Sequence, residues 1–138
     1  MRRGVLLDTG PLVAFLNRRD EYHTWAQSQW NQIVPPMLTC EAVLSEACFL
    51  LSETPRGSQA VVQLLQRGVF SLPLHLEDQV QAISLLLEKY SSVPMSLADA
   101  CLVRMSELFP SSAIFTVDTD FELYRRHGRQ VIPTLMPA

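Results

Sequence analysis

Lysine is nearly absent from this chain: Lys89 is the only one, and the other ten basic side chains are arginine. Long apolar runs are missing too, none approaching the roughly 18 residues that span a bilayer. The start, Met1-Arg2-Arg3-Gly4, leads into a short apolar run that meets Asp8, which does not make a secretory signal. A cytoplasmic protein with no membrane partner is therefore expected. Cysteine is sparse, and Cys40, Cys48 and Cys101 lack CxxC spacing and lie among apolar helix positions. That favours reduced core thiols over a disulfide framework or zinc site. There is no low-complexity stretch, and 138 residues at 48% hydrophobic and 18% charged predict one ordered domain over 1–138.

The net charge of −3 argues against a generic basic nucleic-acid binder. Its distribution says more. Setting aside Asp8, Glu46, Asp99, Asp118 and Asp120 leaves nine acids against eleven bases. Arginine suits bidentate phosphate contact, so this balance permits a phosphodiester substrate around an acidic site.

Gly4 to Asp8 reads as a short buried strand, with Pro11 in the first turn of a helix through about Asn17. Tyr22, Trp25, Ala26, Trp30 and Ile33 share one face of a helix from Glu21 to Ile33, ended by Pro35-Pro36. A brief strand at Met37-Leu38-Thr39 precedes helices over Glu41–Ser52 and Arg56–Arg67. A strand over Val69–Leu74 follows, then helices over Glu77–Tyr90 and Ser96–Phe109. Ala113–Val117 is a strand, Phe121–Arg126 a short helix and Gln130–Ile132 a last strand. Short apolar strands alternating with helices predict a three-layer α/β/α fold with a short central, mostly parallel sheet. Ligands of such sheets collect beyond the carboxyl ends of the strands, where Asp8 and Asp118 both fall.

Four carboxylates stand against apolar sequence. Val5-Leu6-Leu7 runs into Asp8, and Ile114-Phe115-Thr116-Val117 runs into Asp118. Glu46 shares a helix face with Val43, Ala47 and Leu50, with no basic residue three or four positions away; Asp99 shares one with Leu102 and Val103. Gathered carboxylates repel and cost several kcal/mol unless a positive group holds them, and a divalent cation is the simplest such group. Each also has a plainer reading. Asp8 could cap the helix that follows it, and Ser96-Leu97-Ala98-Asp99 has capping-box spacing. Asp118-Thr119-Asp120 could be a turn leading into a helix.

Leu6-Leu7-Asp8-Thr9-Gly10-Pro11-Leu12, Val43-Leu44-Ser45-Glu46-Ala47, Ser96-Leu97-Ala98-Asp99-Ala100 and Thr116-Val117-Asp118-Thr119-Asp120-Phe121 resemble, in order and spacing, the acidic motifs of PIN-domain ribonucleases. They look most like those of VapC-type toxins from toxin–antitoxin pairs, and Asp20-Glu21-Tyr22-His23 also fits. The resemblance implies a single PIN-like domain in which Asp8, Glu46, Asp99 and Asp118 coordinate Mg²⁺, with Mn²⁺ as a substitute. Thr116 would be an accessory polar group and Asp120 an auxiliary ligand. It implies metal-dependent endonucleolytic cleavage of RNA (tRNA, rRNA or mRNA), a cognate antitoxin and a homodimer. Carboxylate oxygens suit hard ions, and such ions activate water for attack on phosphorus.

Competing readings fare worse. A haloacid-dehalogenase-like phosphatase needs a second Asp where Gly10 stands, and a receiver-like domain needs a lysine near a strand end, whereas Lys89 is within a helix. The alternative from another class is a non-catalytic PIN module that binds RNA or protein. The aromatic stripe Tyr22, Trp25, Trp30 and Ile33 is either core or an interaction groove. His23 is either a half-buried helix residue or a ligand, and His75 and His127 belong to no constellation. Arg125, Arg126 and Arg129 form the densest basic cluster, either a solvated helix end or an RNA-phosphate contact, with Arg18 and Arg19 weaker candidates.

Overall fold

The computed structural model describes residues 1–138. Five short strands form one parallel sheet: β1 (Val5–Leu7), β2 (Met37–Leu38), β3 (Phe70–Ser71), β4 (Ala113–Phe115) and β7 (Thr134–Leu135), in the order β3-β2-β1-β4-β7. Val5, Leu6 and Leu7 are all buried, as a central parallel strand covered on both faces requires. Leu6 pairs with Leu38 on one side and Ile114 on the other. From β1 the chain builds outward through β2 and β3, then returns to lay β4 on the opposite edge. The direction of build therefore reverses between β1 and β4. Their carboxyl ends open into the crevice where such sheets bind ligands.

The connections are α1 (Thr9–Leu16), α2 (His23–Trp30), α3 (Glu41–Leu50), α4 (Gly57–Gln66), α5 (Val80–Lys89) and α6 (Leu97–Leu108). Helix α1 packs on α2 and α3, α3 also on α4 and α6, and α5 on α6. Helix α6 is buried from Ala98 through Val103 and again at Met105 and Ser106, as expected of a helix apolar around most of its circumference. No helix is long and apolar enough to cross a membrane.

The aromatic stripe packs against the core, with Ala26 and Ile33 buried and Tyr22, Trp25 and Trp30 half-buried. Trp25 sits edge-on to Phe115 with centroids 5.3 Å apart, and Trp30 stacks on Phe15 at 4.0 Å. His23 donates from Nδ1 to the Ala14 carbonyl at 2.7 Å, which ties α2 to α1. Cys40 and Cys101 are buried and Cys48 half-buried, all three as free thiols.

Two expectations fail near the end of the chain. Phe121–Arg126 is not a helix: a 3-10 turn spans Thr119–Glu122, and β5 (Arg125–Arg126) pairs antiparallel with β6 (Gln130–Val131). Gln130–Ile132 is consequently not the last strand of the main sheet, since β7 joins β4 instead. His127 and Gly128, both at positive φ, turn the chain between β5 and β6.

Candidate active site

Asp8 follows β1 directly and is buried. Although it occupies the position before α1, its side chain caps nothing. Instead Asp8 Oδ2 accepts a 2.6 Å hydrogen bond from the Thr116 hydroxyl at the end of β4. Thr116 Oγ1 in turn accepts the Asp118 N–H at 2.9 Å, and Asp118 Oδ1 accepts the Asp120 N–H at 2.9 Å. A fully buried threonine thus joins the two strand-end acids, and the Asp118–Asp120 contact starts the 3-10 turn.

Asp99 reaches the same region from α6. The capping box with Ser96 is present: Ser96 Oγ accepts the Asp99 N–H at 3.0 Å, and Asp99 Oδ2 accepts the Ser96 N–H at 3.1 Å. The capping reading holds for this residue, and it does not exclude a role in the site, because the cap engages one carboxylate oxygen and leaves the other. Glu46 departs from expectation. It is exposed, and so is Leu50, leaving Val43 and Ala47 as the buried members of its face. A position at the rim of α3 replaces the anticipated burial.

The electrostatics bind these acids into one cluster. Burial raises the Asp8 carboxyl from 3.8 to about 7, opposed by the Thr116 hydroxyl and the Thr9 N–H and reinforced by repulsion from Asp99 and Asp118. Asp99 is raised by burial and by Asp118, against donation from Ser96 and Tyr124. Partial burial raises Glu46, and repulsion from Asp99 and Asp118 adds to it. No protein cation answers them: the one salt bridge in the molecule is Arg104–Glu107.

The donor set fits a hard divalent cation. Asp8, Asp99 and Asp118 each commit one identified oxygen to a protein hydrogen bond, which leaves the other oxygen for an ion. The Thr9 hydroxyl is buried without a partner, close enough to Glu46 to favour its ionised form yet not hydrogen-bonded to it. As the side chains stand, no three His, Cys, Asp or Glu groups close into a ligand cage. A cavity of about 520 Å³ is lined by Cys40, Ser45, Leu74, His75, Leu97 and Cys101 and by none of the four acids.

Sequence reasoning missed Thr9 and Tyr124. Thr9 carried a signal, a hydroxyl next to Asp8 at a strand end. Tyr124 carried none, since its place depends on the unexpected hairpin. The basic cluster also changes character. Arg125 Nη1 donates to the carbonyls of Glu122, Leu123 and Tyr124, and Arg126 Nη1 to the Ser106 carbonyl at 3.0 Å, so neither ends a solvated helix.

Among solved structures, the VapC20 toxin of Mycobacterium tuberculosis, described as cleaving the sarcin–ricin loop, is similar in fold at a TM-score of 0.75. The two share 21% identity over 86% of this chain and 93% of that one. No curated protein sequence matches the chain. The family model of the PIN domain matches residues 5–126, a span from the first residue of β1 to the last of β5 that contains all four acids. The chain belongs to the PIN-domain family.

Proposed function

We propose that this protein is a metal-dependent endoribonuclease, a single PIN domain over residues 1–138 that acts as the toxin of a VapBC-type pair. One observation carries the reading: at the reversal point of a parallel sheet the carboxyls of Asp8, Glu46 and Asp99, from three separate elements, are raised by burial and by repulsion from neighbouring acids that include Asp118, with no protein cation among them. A module without chemistry has no physical reason to keep such a cluster.

In this reading Asp8, Glu46, Asp99 and Asp118 hold Mg²⁺ or Mn²⁺, and Asp120 assists from the turn that Asp118 starts. When bound, the ion lowers the pKa of a water and offsets charge at the scissile phosphate. The rest falls to the chain itself. Thr116 holds Asp8 through Oδ2 and the Asp118 backbone through its N–H, so one hydroxyl fixes the Asp8 carboxylate against the segment that carries Asp118. The Thr9 hydroxyl, lacking a partner, is free to donate to a phosphate oxygen or a water. Arg129, exposed in the hairpin turn, is the member of the basic cluster left to meet RNA phosphate. Family membership and the fold shared with VapC20 support an antitoxin partner and a homodimer.

The test is incubation of purified protein with tRNA, ribosomal RNA and mRNA, with and without Mg²⁺ or Mn²⁺. Cleavage that needs the metal, leaves 5′-phosphates and is lost in Asp8→Asn and Asp99→Asn is expected. Undiminished cleavage in either variant, or in excess chelator, overturns the assignment.

A further inference from the structure

Tyr124 lies between the 3-10 turn and β5, fully buried, 25 residues along the chain from Asp99. Its ring is set edge-on to Tyr90 and Phe121, with centroids 5.1 and 5.3 Å away. Tyr90 continues the arrangement: its hydroxyl accepts the Arg125 N–H at 2.8 Å, which fixes β5 against α5. This packing leaves the Tyr124 ring little freedom and delivers its hydroxyl to one place. There it lies 3.2 Å from Asp99 Oδ2 and 3.1 Å from the Pro94 carbonyl.

A buried tyrosine hydroxyl needs an acceptor, and Pro94 alone would meet that need. The second approach, to a carboxylate, is the stronger one when that carboxylate is ionised. It also falls on a particular atom. Asp99 Oδ2 already accepts the Ser96 N–H, so both donors engage the same oxygen and Oδ1 accepts no hydrogen bond from the protein. A helix cap requires only the Ser96 contact. Tyr124 adds nothing to the helix start, but it doubles the restraint on rotation of the carboxylate group.

We propose that Tyr124 is a positioning residue for Asp99: with the Ser96 N–H it pins Oδ2 and so presets Oδ1 as the oxygen offered to a divalent cation. The proposal rests on the metal-nuclease reading above and sharpens it, since one carboxylate then binds through a chosen oxygen from an orientation set by a buried phenol. Outer partners of metal ligands commonly govern affinity in this way.

The experiment measures Mn²⁺ affinity by calorimetry in wild type, Tyr124→Phe and Tyr90→Phe, beside melting temperature without metal. Tyr124→Phe keeps the ring and its packing, and is expected to bind Mn²⁺ about 10-fold more weakly. Tyr90→Phe disturbs the same aromatic group but leaves Asp99 Oδ2 untouched, and should bind Mn²⁺ as wild type does. Wild-type affinity in Tyr124→Phe overturns the positioning role and leaves the nuclease reading standing. So does equal weakening in both variants, which would reduce Tyr124 to a packing element. Absence of Mn²⁺ binding by the wild type at millimolar metal overturns the metal site and the proposal together.

Discussion

Thr116 and Asp8, 108 residues apart in the chain, are joined by a 2.6 Å hydrogen bond across the ends of β4 and β1. The threonine hydroxyl does two jobs, donating to the Asp8 carboxylate and accepting the Asp118 N–H. Valine has nearly the same shape and can do neither. Thr116→Val should lose roughly 1–3 kcal/mol of stability by leaving buried polar groups unpaired. Its RNA cleavage should fall at least about 10-fold, because Asp8 and Asp118 are no longer registered to one another. Thr116→Ser should retain most of both. Chemical denaturation and initial cleavage rates check this, and a valine variant as active as the serine one would remove Thr116 from the site.

Asp8 gives the protein a metal-free stability that depends on pH in an unusual direction. Burial raises its carboxyl from 3.8 to about 7, so in this window the folded state holds a proton that the unfolded chain has released. Stability contributed by the neutral form is therefore complete at low pH and lost as pH climbs towards 7. The gap amounts to roughly 4 kcal/mol as an upper figure. In chelator, wild type should weaken between pH 5 and pH 8 relative to Asp8→Asn, which has no proton to lose. A constant difference between the two across that range would contradict the assignment.

Metal should reverse that penalty. Mn²⁺ or Mg²⁺ at millimolar concentration is expected to raise the melting temperature of wild type, since the ion binds the folded state and relieves repulsion among the acids. Removing two members, as Asp8→Asn/Asp99→Asn, should abolish the rise. A thermal scan with and without chelator reads both.

Gly10 of α1 packs against Val117, just past the end of β4. A Cβ built there would collide with Val117 Cγ2, the side chain between Thr116 and Asp118. Gly10→Ala should therefore displace the turn that carries Asp118, with a cost of roughly 1–3 kcal/mol. Val117→Ala, which makes room, should recover much of that loss in the double variant. Additive costs in the cycle would show that the two positions do not meet.

Arg126 and Arg129 should separate cleanly. Arg126, half-buried and bonded to the Ser106 carbonyl, should cost about 1 kcal/mol of stability on change to alanine, with the salt dependence of RNA binding unaltered. Arg129→Ala should leave stability alone and lower that salt slope by about one. Binding isotherms at several ionic strengths, measured in chelator to prevent cleavage, distinguish the two.

Asp8 and Asp118 were readable from the chain because a strand buried on both faces is a short unbroken apolar run, and an acid at its end is conspicuous. The same logic misjudged Glu46. Helical spacing placed it with Val43, Ala47 and Leu50, but helix α3 turns only part of that face inward, and Leu50 is exposed. Spacing reports a shared face, not how far a neighbouring element covers it. The hairpin was hidden for a related reason. Phe121 and Tyr124 lie three apart and are both buried, which a 3-10 turn ending at Glu122 and the residues that follow it satisfy as well as an α-helix does. Gln130–Val131 and Thr134–Leu135 are equally short, and which of them joins β4 is decided by tertiary pairing rather than by local preference.

The neighbouring positions of β1 and β4 have a further consequence, for the order in which the site is assembled. A chain made from its N-terminus presents Asp8 first and Glu46 some forty residues later, each beside an incomplete sheet. Asp99 arrives with α6, and Thr116 and Asp118 only with β4, which must slot in beside a strand made at the outset. A fragment ending before β4 has neither the Thr116 hydroxyl that orients Asp8 nor the fourth acid. The cluster of acids, on this architecture, is withheld from partial chains and completed only when the two ends of the sequence meet.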